Sequence, residues 1–538
     1  MIKTKLYMSK NDIAEVIKGV VANADIVAKT YGYSGHDICI RHEGRNIFSN
    51  DGVFVSNHIY FEDELKDIGS GLVRGITLNS DLSSNDGTTA AAILAKHIVL
   101  GLEPYLINKR YQRKITSMID VRKGMEKAVK DINTCLMMQR KNLKTSDVKG
   151  LYQVAYTATR DEKLSSVLSE AFKKIGQNGR VLYKEKESED VSVEYKTGFN
   201  LDYGYSTPLL PNVFPDPVIV IYNEKINSAE IITKVIKNTL KGGHKNLVVF
   251  AKEGAADLVI QQLIQVQQSP EVNLNINIIK LAGSEAKVEK EISDLSVITG
   301  ARVLDNSSIL SMTEEDFGKA KSINITDKQT TIVGGDKDEE KFKKHLDELQ
   351  KSYKNNRNEA DKENIRKRMA NLQGQVAIIN IGGLSRERIE SYKSKIKDAV
   401  GSIKNAIDEG IVPGGGVALL NAYKFIVKDT NGFKQYINTD EKIGYNLVLG
   451  ALRNPIQQIL DNSYEKSKVK KNEIFNNNKT YVGYDAINNE VCYDLFSAGV
   501  IDPYLTILNS LKNAVDLCTL FINLDGFIVA KSEVVDNG

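Results

Sequence analysis

Residue types able to do chemistry are concentrated in Asn85-Asp86-Gly87-Thr88-Thr89, which runs without a break into Ala90-Ala91-Ala92-Ile93-Leu94-Ala95-Lys96-His97-Ile98-Val99. An Asx-Gly turn followed by such an apolar run predicts the start of a buried helix, with Asp86 at or near its N-cap. The first amides of a helix have no internal partner, and with the helix dipole they form an anion site. The Thr88 and Thr89 hydroxyls add donors that suit a phosphate chain. Asp86 cannot bind phosphate itself, but a carboxylate beside phosphate is where Mg2+ bridges the two. The same residues equally describe an ordinary capped turn before a core helix.

Three further places carry candidate chemistry. Asp51 lies in the turn Asn50-Asp51-Gly52, after two short strands predicted at Ile38-Cys39-Ile40 and Asn46-Ile47-Phe48-Ser49. Asp398 falls in a helix predicted over 385–409, off the apolar stripe made by Ile389, Ile396 and Ile403 with Tyr392, Ala399 and Ala406. A mid-helix acid in that position is ordinarily solvated. Directly after that helix, Gly414-Gly415-Gly416 precedes the apolar run Val417-Ala418-Leu419-Leu420, allowing backbone to approach a ligand closely at another helix start. Asp485 and Asp502 sit in the turn-like segments Gly483-Tyr484-Asp485-Ala486 and Gly499-Val500-Ile501-Asp502-Pro503.

These residues must be positioned by a multidomain chain, because 538 residues exceed one core. With 41% hydrophobic and 26% charged residues the composition is globular, and a net charge of +3 gives no field favouring nucleic acid. The longest apolar runs are strand length, so no membrane span is expected, and the N-terminus shows no export signal, so a cytoplasmic setting is expected. Cys39, Cys135, Cys492 and Cys518 are scattered and read as core thiols rather than a zinc site or disulfide framework. A helix is predicted over 11–31, ending at Gly32, then a loop at Thr30-Tyr31-Gly32-Tyr33-Ser34-Gly35, and helices over 119–138. A small connecting domain follows, with a helix at 163–175 and strands at 180–184 and 191–195. Beyond it strands at 218–222, 247–250 and 276–279 alternate with helices at 231–240 and 255–267, predicting a layered α/β domain. The charged stretch 337–372 keeps helical spacing and reads as a solvated helical hairpin.

Neither usual nucleotide fingerprint is present, as there is no Gly-x-x-x-x-Gly-Lys-Ser/Thr and no strand followed by Gly-x-Gly-x-x-Gly. The chain nevertheless resembles the group I chaperonins, the GroEL/Hsp60 family, along nearly its whole length. The resemblance rests on Asn-Asp-Gly-Thr-Thr at 85–89, Asn-Asp-Gly at 50–52 and Pro-Gly-Gly-Gly-Val-Ala-Leu at 413–419. Gly-Val-Ile-Asp-Pro at 499–503, Lys397-Asp398-Ala399 before Glu409-Gly410, and Gly204-Tyr205-Ser206-Thr207-Pro208-Leu209-Leu210 extend it in the family's order.

The resemblance implies a fold of three domains: a helical equatorial domain from 1–138 and 409–538, a small intermediate domain from 139–196 and 377–408, and an α/β apical domain from 197–376. It implies an ATP-hydrolysing chaperonin that forms rings, captures non-native polypeptides and assists their folding through ATP-driven domain movement. Thr30 and Gly32 would contact the phosphates, Asp86 would bind Mg2+, and Gly87, Thr88 and Thr89 would hold the phosphates. Gly415 would face the ribose or base, with Asp485, Ala486 and Asp502 completing the adenosine pocket. Asp398, with Asp51, would position the attacking water. ATP and Mg2+ are the implied cofactors, with K+ compatible. The implied partners are unfolded polypeptides, further copies in a seven-fold homo-oligomeric ring and a co-chaperonin lid, with neither nucleic acid nor membrane. Unfolded chains would meet Tyr205, Leu209, Leu210, Ile232, Ile236, Val259, Leu263 and Ile264 on an exposed apolar groove.

The chain departs from the family where its Gly-Pro-Lys-Gly loop reads Gly32-Tyr33-Ser34-Gly35, where Gln375 replaces the second hinge glycine, and where Val534-Val535-Asp536-Asn537-Gly538 replaces Gly-Gly-Met repeats. These departures mark a divergent member and point to a phage or another mobile source, whose protein would work in the host cytoplasm. Two other function classes stay open from the residues: a structural or adaptor ring without hydrolysis, and a small-molecule phosphotransferase.

Overall fold

The computed structural model describes residues 2–42, 44–177, 179–186, 191–268, 274–356, 358–382, 386–428, 438–463, 467–477, 479–522 and 524–532. The tail Val534–Gly538 and the first residue of the predicted 385–409 helix, Ser385, lie outside the described residues. The chain divides into two compact units, Met1–Glu170 with Glu390–Gly538, and Ala171–Ile389.

The first unit is helical. Its core is one apolar cluster fed by the helices Lys10–Ala28, Glu64–Ser84, Thr88–Ile107, Met118–Gln139, Val417–Lys428, Thr439–Ala451 and Tyr504–Ile522. Two helix crossings are so close that only glycine fits. A Cβ on Gly19 would stand 2.0 Å from the Lys66 carbonyl oxygen, and one on Gly69 2.0 Å from that of Val16. At the second crossing, Gly124 faces the Glu441 carbonyl at 1.9 Å and Gly444 faces that of Val121 at 1.8 Å. Each pair is reciprocal, so backbone rests on backbone and two helices lock at fixed register. The chain ends meet in the same unit, where Ile2–Tyr7 pairs antiparallel with Phe527–Ser532.

Two sequence expectations change here. The helices Thr88–Ile107 and Tyr504–Ile522 are long and apolar enough to cross a membrane by length and composition, contrary to the reading from apolar runs. Lys96, His97 and Glu103 in the first and Asn509, Lys512, Asn513 and Asp516 in the second interrupt the runs without making either helix polar, and the two pack on each other in the core. Of the cysteines, Cys135 and Cys518 are core thiols, whereas Cys39 is exposed and Cys492 half-buried. The helix Val148–Thr159, before Glu162–Ile175, was not predicted, and it carries the buried stripe Leu151, Val154 and Ala155.

The second unit is built on a mixed sheet in the strand order Arg180–Glu185, Gln375–Ile381, Ser192–Leu201, Thr330–Gly335, Gly318–Ile325, Val218–Tyr222, Asn246–Lys252, Asn275–Leu281. The last three are parallel, as the alternation with helices predicted. The strands at 180 and 192 do not pair with each other, because Gln375–Ile381 inserts between them, parallel to one and antiparallel to the other. Gln375 therefore opens a strand opposite Thr197. Val218–Tyr222 is apolar at every position, and the other two parallel strands are mainly so, broken by Asn246 and Lys252 in one and by Asn275, Asn277 and Lys280 in the other, because both faces are covered. Val218, Val220 and Tyr222 point to one face, under the helices Ala229–Lys241 and Asp257–Gln268, and Ile219 and Ile221 to the other, under Glu285–Thr299 and the hairpin Glu339–Asn355 and Glu359–Leu372. A buried ionic cluster ties the hairpin down: Arg368 Nε and Nη2 donate to Asp294 at 2.9 and 2.8 Å, and His345 Nε2 lies 2.7 Å from the same carboxylate.

The glycine crossings generate a paired test within the helix Thr439–Ala451. Gly444→Ala should lower the unfolding free energy by about 1–3 kcal/mol through overpacking. Gly450, where an added Cβ meets nothing within 4 Å, should instead gain about 0.5–1 kcal/mol as alanine. Urea denaturation of both variants checks the sign difference, and equal effects would remove the crossing as the cause.

Candidate functional site

The helix Glu64–Ser84 ends at Asn85 in the left-handed region, φ 51°, with its amide bonded to Asp81 O at 2.7 Å. Gly87, φ 81°, is the N-cap of Thr88–Ile107, so Asp86 stands one residue before the cap, and no side chain caps this helix. Glycine is needed at 87 twice over, since a Cβ would also fall 2.3 Å from Ser510 Oγ, which donates to Gly87 O at 2.9 Å. Asp86 folds back on the turn: Oδ1 accepts the Gly87 amide at 2.6 Å and Oδ2 accepts Ser402 Oγ at 3.1 Å.

Other elements bring hydroxyls to the same helix end. Thr30 Oγ1, buried behind the Lys10–Ala28 helix, lies 3.5 Å from Thr89 Oγ1. Gly52 backs onto both threonines, with a Cβ there falling 2.4 Å from Thr89 Oγ1 and 2.8 Å from Thr88 Oγ1. The segment 50–52 is not a hairpin turn. Asp51 is the N-cap of a short helix, Gly52–Asn57, its Oδ1 accepting the amides of Val53 at 2.9 Å and Phe54 at 3.3 Å. Gly32, φ 79°, turns the loop that follows Thr30 and packs against Ile459.

The helix Arg386–Glu409 closes the arrangement with a second stripe opposite its apolar one. Ser394 donates to Asp51 Oδ2 at 3.3 Å, Ser402 to Asp86, and Asn405 Nδ2 to Ser84 O at 2.8 Å. Gly401 leaves room for Asn85, and Lys397 pairs with Asp81 at 2.8 Å. Asp398 lies on this stripe and is half-buried, not solvated as a mid-helix acid ordinarily is. Burial first, and then the charges of Asp51, Asp86 and Asp81, push its carboxyl up to about 8, against the opposing pull of Lys397. Asp86 is raised too, chiefly by burial, though the Gly87 amide and Ser402 hold it back. Acids that raise one another in this way are short of positive charge, which a divalent cation supplies. Among the described residues no three His, Cys, Asp or Glu side chains form a metal cage. The donor set fits Mg2+ held by a carboxylate and phosphate oxygens jointly, its usual mode.

A second group of candidate residues adjoins the glycine run. Ile411–Pro413 pairs antiparallel with Ile501–Pro503, placing Asp502 in a strand opposite Val412 rather than in a turn. Gly415, φ 63°, and Gly416, φ 76°, follow. A Cβ on Gly416 would strike Ile456 N at 2.6 Å, whereas around Gly415 the nearest side chains, Val500 and Ile459, are 3.6 and 4.0 Å away. Burial and the charge of Asp86 push the Asp502 carboxyl up to about 7, opposed by the Gly415 amide. Ala486, Tyr31 and Val500 pack at the edge of the local apolar cluster. Asp485 is buried with its carboxylate already engaged by the Ile487 and Asn488 amides at 2.9 and 3.1 Å and by Asn488 Nδ2 at 2.8 Å, so it shapes the turn. Ser394 and Ser402 were missed from sequence, although their spacing of four on either side of Asp398 is the signal of a shared helix face.

The eight positions expected on an exposed apolar groove divide. Leu210, Ile232, Val259 and Leu263 are core, because they form the inward stripes of the loop and two helices that cover the parallel strands. Tyr205, Ile236 and Ile264 are half-buried, and Leu209 is 69% exposed. Leu258, at the start of the Asp257–Gln268 helix, is 66% exposed and was not predicted.

The model of the TCP-1/cpn60 chaperonin family matches residues 24–532. The mitochondrial chaperonin CPN60-1 of Cucurbita maxima is 29% identical over 529 residues, spanning 96% of this chain and 88% of that protein. Among solved structures, the chaperonin gp146 of the bacteriophage EL 2 (Pseudomonas aeruginosa), crystallised in the presence of ATP-BeFx, is similar in fold. Its crystal form II matches with a TM-score of 0.74 at 17% identity, over 98% of this chain and 99% of that one, and form I with a TM-score of 0.67. At these levels of identity the chain is divergent, yet the match is continuous over nearly its whole length: it belongs to the TCP-1/cpn60 chaperonin family.

Proposed function

We propose that the chain is an ATP-driven chaperonin which assembles into rings, captures non-native polypeptides and assists their folding. The observation that carries the reading is the convergence of Asp51, Asp86 and Asp398 on a helix end that no side chain caps, beside the hydroxyls of Thr30, Thr88 and Thr89. In this reading the amides of Gly87, Thr88 and Thr89 and the threonine hydroxyls bind the phosphates, and Asp86 with a phosphate oxygen holds Mg2+, which supplies neutralising charge. Thr30 and Gly32 line the phosphate side, Gly415 and Asp502 take the ribose, and Ala486 the base, on a loop shaped by Asp485. Asp398, with Asp51, orients the attacking water; Mg2+ beside Asp86 would offset the neighbouring acids that hold the Asp398 carboxyl up, leaving it ionised to receive the proton.

The three-domain division at 138/139, 196/197, 376/377 and 408/409 belongs to this proposal, as do a seven-fold ring, a co-chaperonin lid, K+ and work in the cytoplasm. The Arg386–Glu409 helix carries Asp398 and ends beside the glycine run, so movement of that helix would couple hydrolysis to domain motion. Polypeptide capture is assigned to the exposed Leu209 and Leu258 with the half-buried Tyr205, Ile236 and Ile264, since an apolar surface binds unfolded chains without sequence preference.

Three expected outcomes follow from these assignments. Asp398→Ala should lower ATP turnover by about two orders of magnitude with ATP affinity unchanged, whereas Asp86→Ala should weaken ATP binding in magnesium. Steady-state kinetics with equilibrium binding separates the two, and unchanged turnover in Asp398→Ala would sink the water-positioning role. For pH, a carboxyl raised by folding takes up a proton, so its contribution to stability is full below its ordinary value of 3.8 and is lost as pH rises through about 8. The metal-free parent should therefore lose stability relative to Asp398→Asn across that window, and a constant difference in urea unfolding would refute the assignment. On the capture surface, the Leu209→Ser, Leu258→Ser double variant should release a denatured test protein while keeping basal turnover. Leu263→Ser should instead unfold its own unit, and normal capture by the folded double variant would remove these leucines from the surface.

A further inference from the structure

Arg160 is the residue near the acids that the sequence reading did not use. It ends the helix Val148–Thr159 in the left-handed region, φ 52°, with its amide on Tyr156 O at 2.9 Å. Glycine or asparagine is the usual occupant of such a helix end, and any other residue there is strained, a strain that is kept where it positions something. Here it sends the guanidinium to the loop after the first helix, where Nη2 donates to Thr30 O at 3.2 Å.

That one bond uses a single donor of five. Among the described residues no carboxylate lies within ion-pair distance of Arg160, yet Asp37 and Asp86 both act on its charge, and burial opposes that charge most strongly. The loop that it touches, Thr30-Tyr31-Gly32-Tyr33-Ser34-Gly35, contains no lysine or arginine, and Lys29 before it is exposed. The other cation among the acids, Lys397, is paired with Asp81. A half-buried guanidinium with free N–H groups, beside the Thr30 hydroxyl and facing Asp86 without touching it, is placed to receive a planar set of phosphate oxygens.

We propose that Arg160 contacts the terminal phosphate of ATP and neutralises the charge that develops on the phosphoryl group in transfer. The inference rests on the ATP reading above and adds to it a catalytic cation supplied by the same chain. In the step, the water oxygen bonds to the γ-phosphorus as the bond from that phosphorus to the bridging oxygen breaks. ADP departs with the bonding pair, the water proton passes to Asp398, and the guanidinium stays protonated throughout. An arginine in this role contributes about 10³–10⁵ in turnover where it has been removed from other phosphoryl-transfer sites.

The test uses the full-length chain, its Arg160→Asn variant, which tolerates the left-handed backbone, and Arg160→Lys, which keeps a point charge. Parent turnover is measured first in magnesium, then affinities for ADP and for ADP with aluminium fluoride, a mimic of the transferring phosphoryl group. Arg160→Asn is expected to lose about 100-fold or more in turnover and in affinity for the mimic, with ADP affinity kept, and Arg160→Lys to recover part of both. Turnover like the parent's in Arg160→Asn would overturn the proposal. Equal loss of ADP and mimic binding with a lowered melting temperature would also overturn it, by making Arg160 a brace for the Thr30 loop. A parent that neither binds nor hydrolyses ATP would instead overturn the ATP reading itself, a result told apart by the parent alone.

Discussion

The constraint on which the first unit depends is electrostatic: several carboxylates are held close together, away from bulk water, beside one helix end. Asp398 and Asp502 are both pushed toward neutrality by burial and by the charge of neighbouring acids. Such a cluster is unfavourable in isolation, and much of the local structure serves to keep it in place. Asp51 is fixed by two helix amides and a serine, Asp86 by one amide and another serine, and Asp81 by Lys397. A site in which carboxylates are pre-positioned beside one another favours a cationic ligand, and its own N-terminal helix amides favour an anionic one. A magnesium-bound polyphosphate carries both signs in that order.

Holding acids at fixed separations needs a rigid frame, and the frame is made by backbone contact more than by large side chains. The crossings at Gly19 with Gly69 and at Gly124 with Gly444 set helices at distances no other residue allows. Gly401 does the same for the helix bearing Asp398, which would otherwise collide with Asn85. These glycines, far apart in sequence, fix the register of the helices Lys10–Ala28, Glu64–Ser84 and Arg386–Glu409, and so fix where Thr30, Asp86 and Asp398 stand.

Elements with strong periodicity were legible in the sequence. The parallel strands, their covering helices, the charged hairpin and the helix bearing Asp398 all lie within a few residues of expectation, because each carries a single unambiguous pattern. The turn acids at 85–89 and 50–52 were recognisable by residue type, but which of them capped a helix depended on backbone angles that composition does not report. Pattern failed on direction. The apolar stripes of Ala229–Lys241 and Asp257–Gln268 look alike whether they face a sheet or a groove, and in this fold Ile232, Val259 and Leu263 face the sheet. Arg160 left no signal at all, since its position follows from a helix end turning left-handed, and Ser394 and Ser402 gained meaning only when their helix face was seen against Asp51 and Asp86.

The pairing of Ile2–Tyr7 with Phe527–Ser532 has a consequence for biosynthesis. The second unit is one uninterrupted stretch, Ala171–Ile389, whereas the first is split around it. As the chain emerges from the ribosome, the interrupted unit has only its leading part and must wait for Glu390 onward, while the uninterrupted unit has all its strands once Ile389 is made. Its sheet therefore forms early, and the acid cluster, whose members come from both sides of the insertion, is assembled last. A nascent or truncated chain thus lacks the assembled acid cluster, so any ligand of that cluster meets only finished copies.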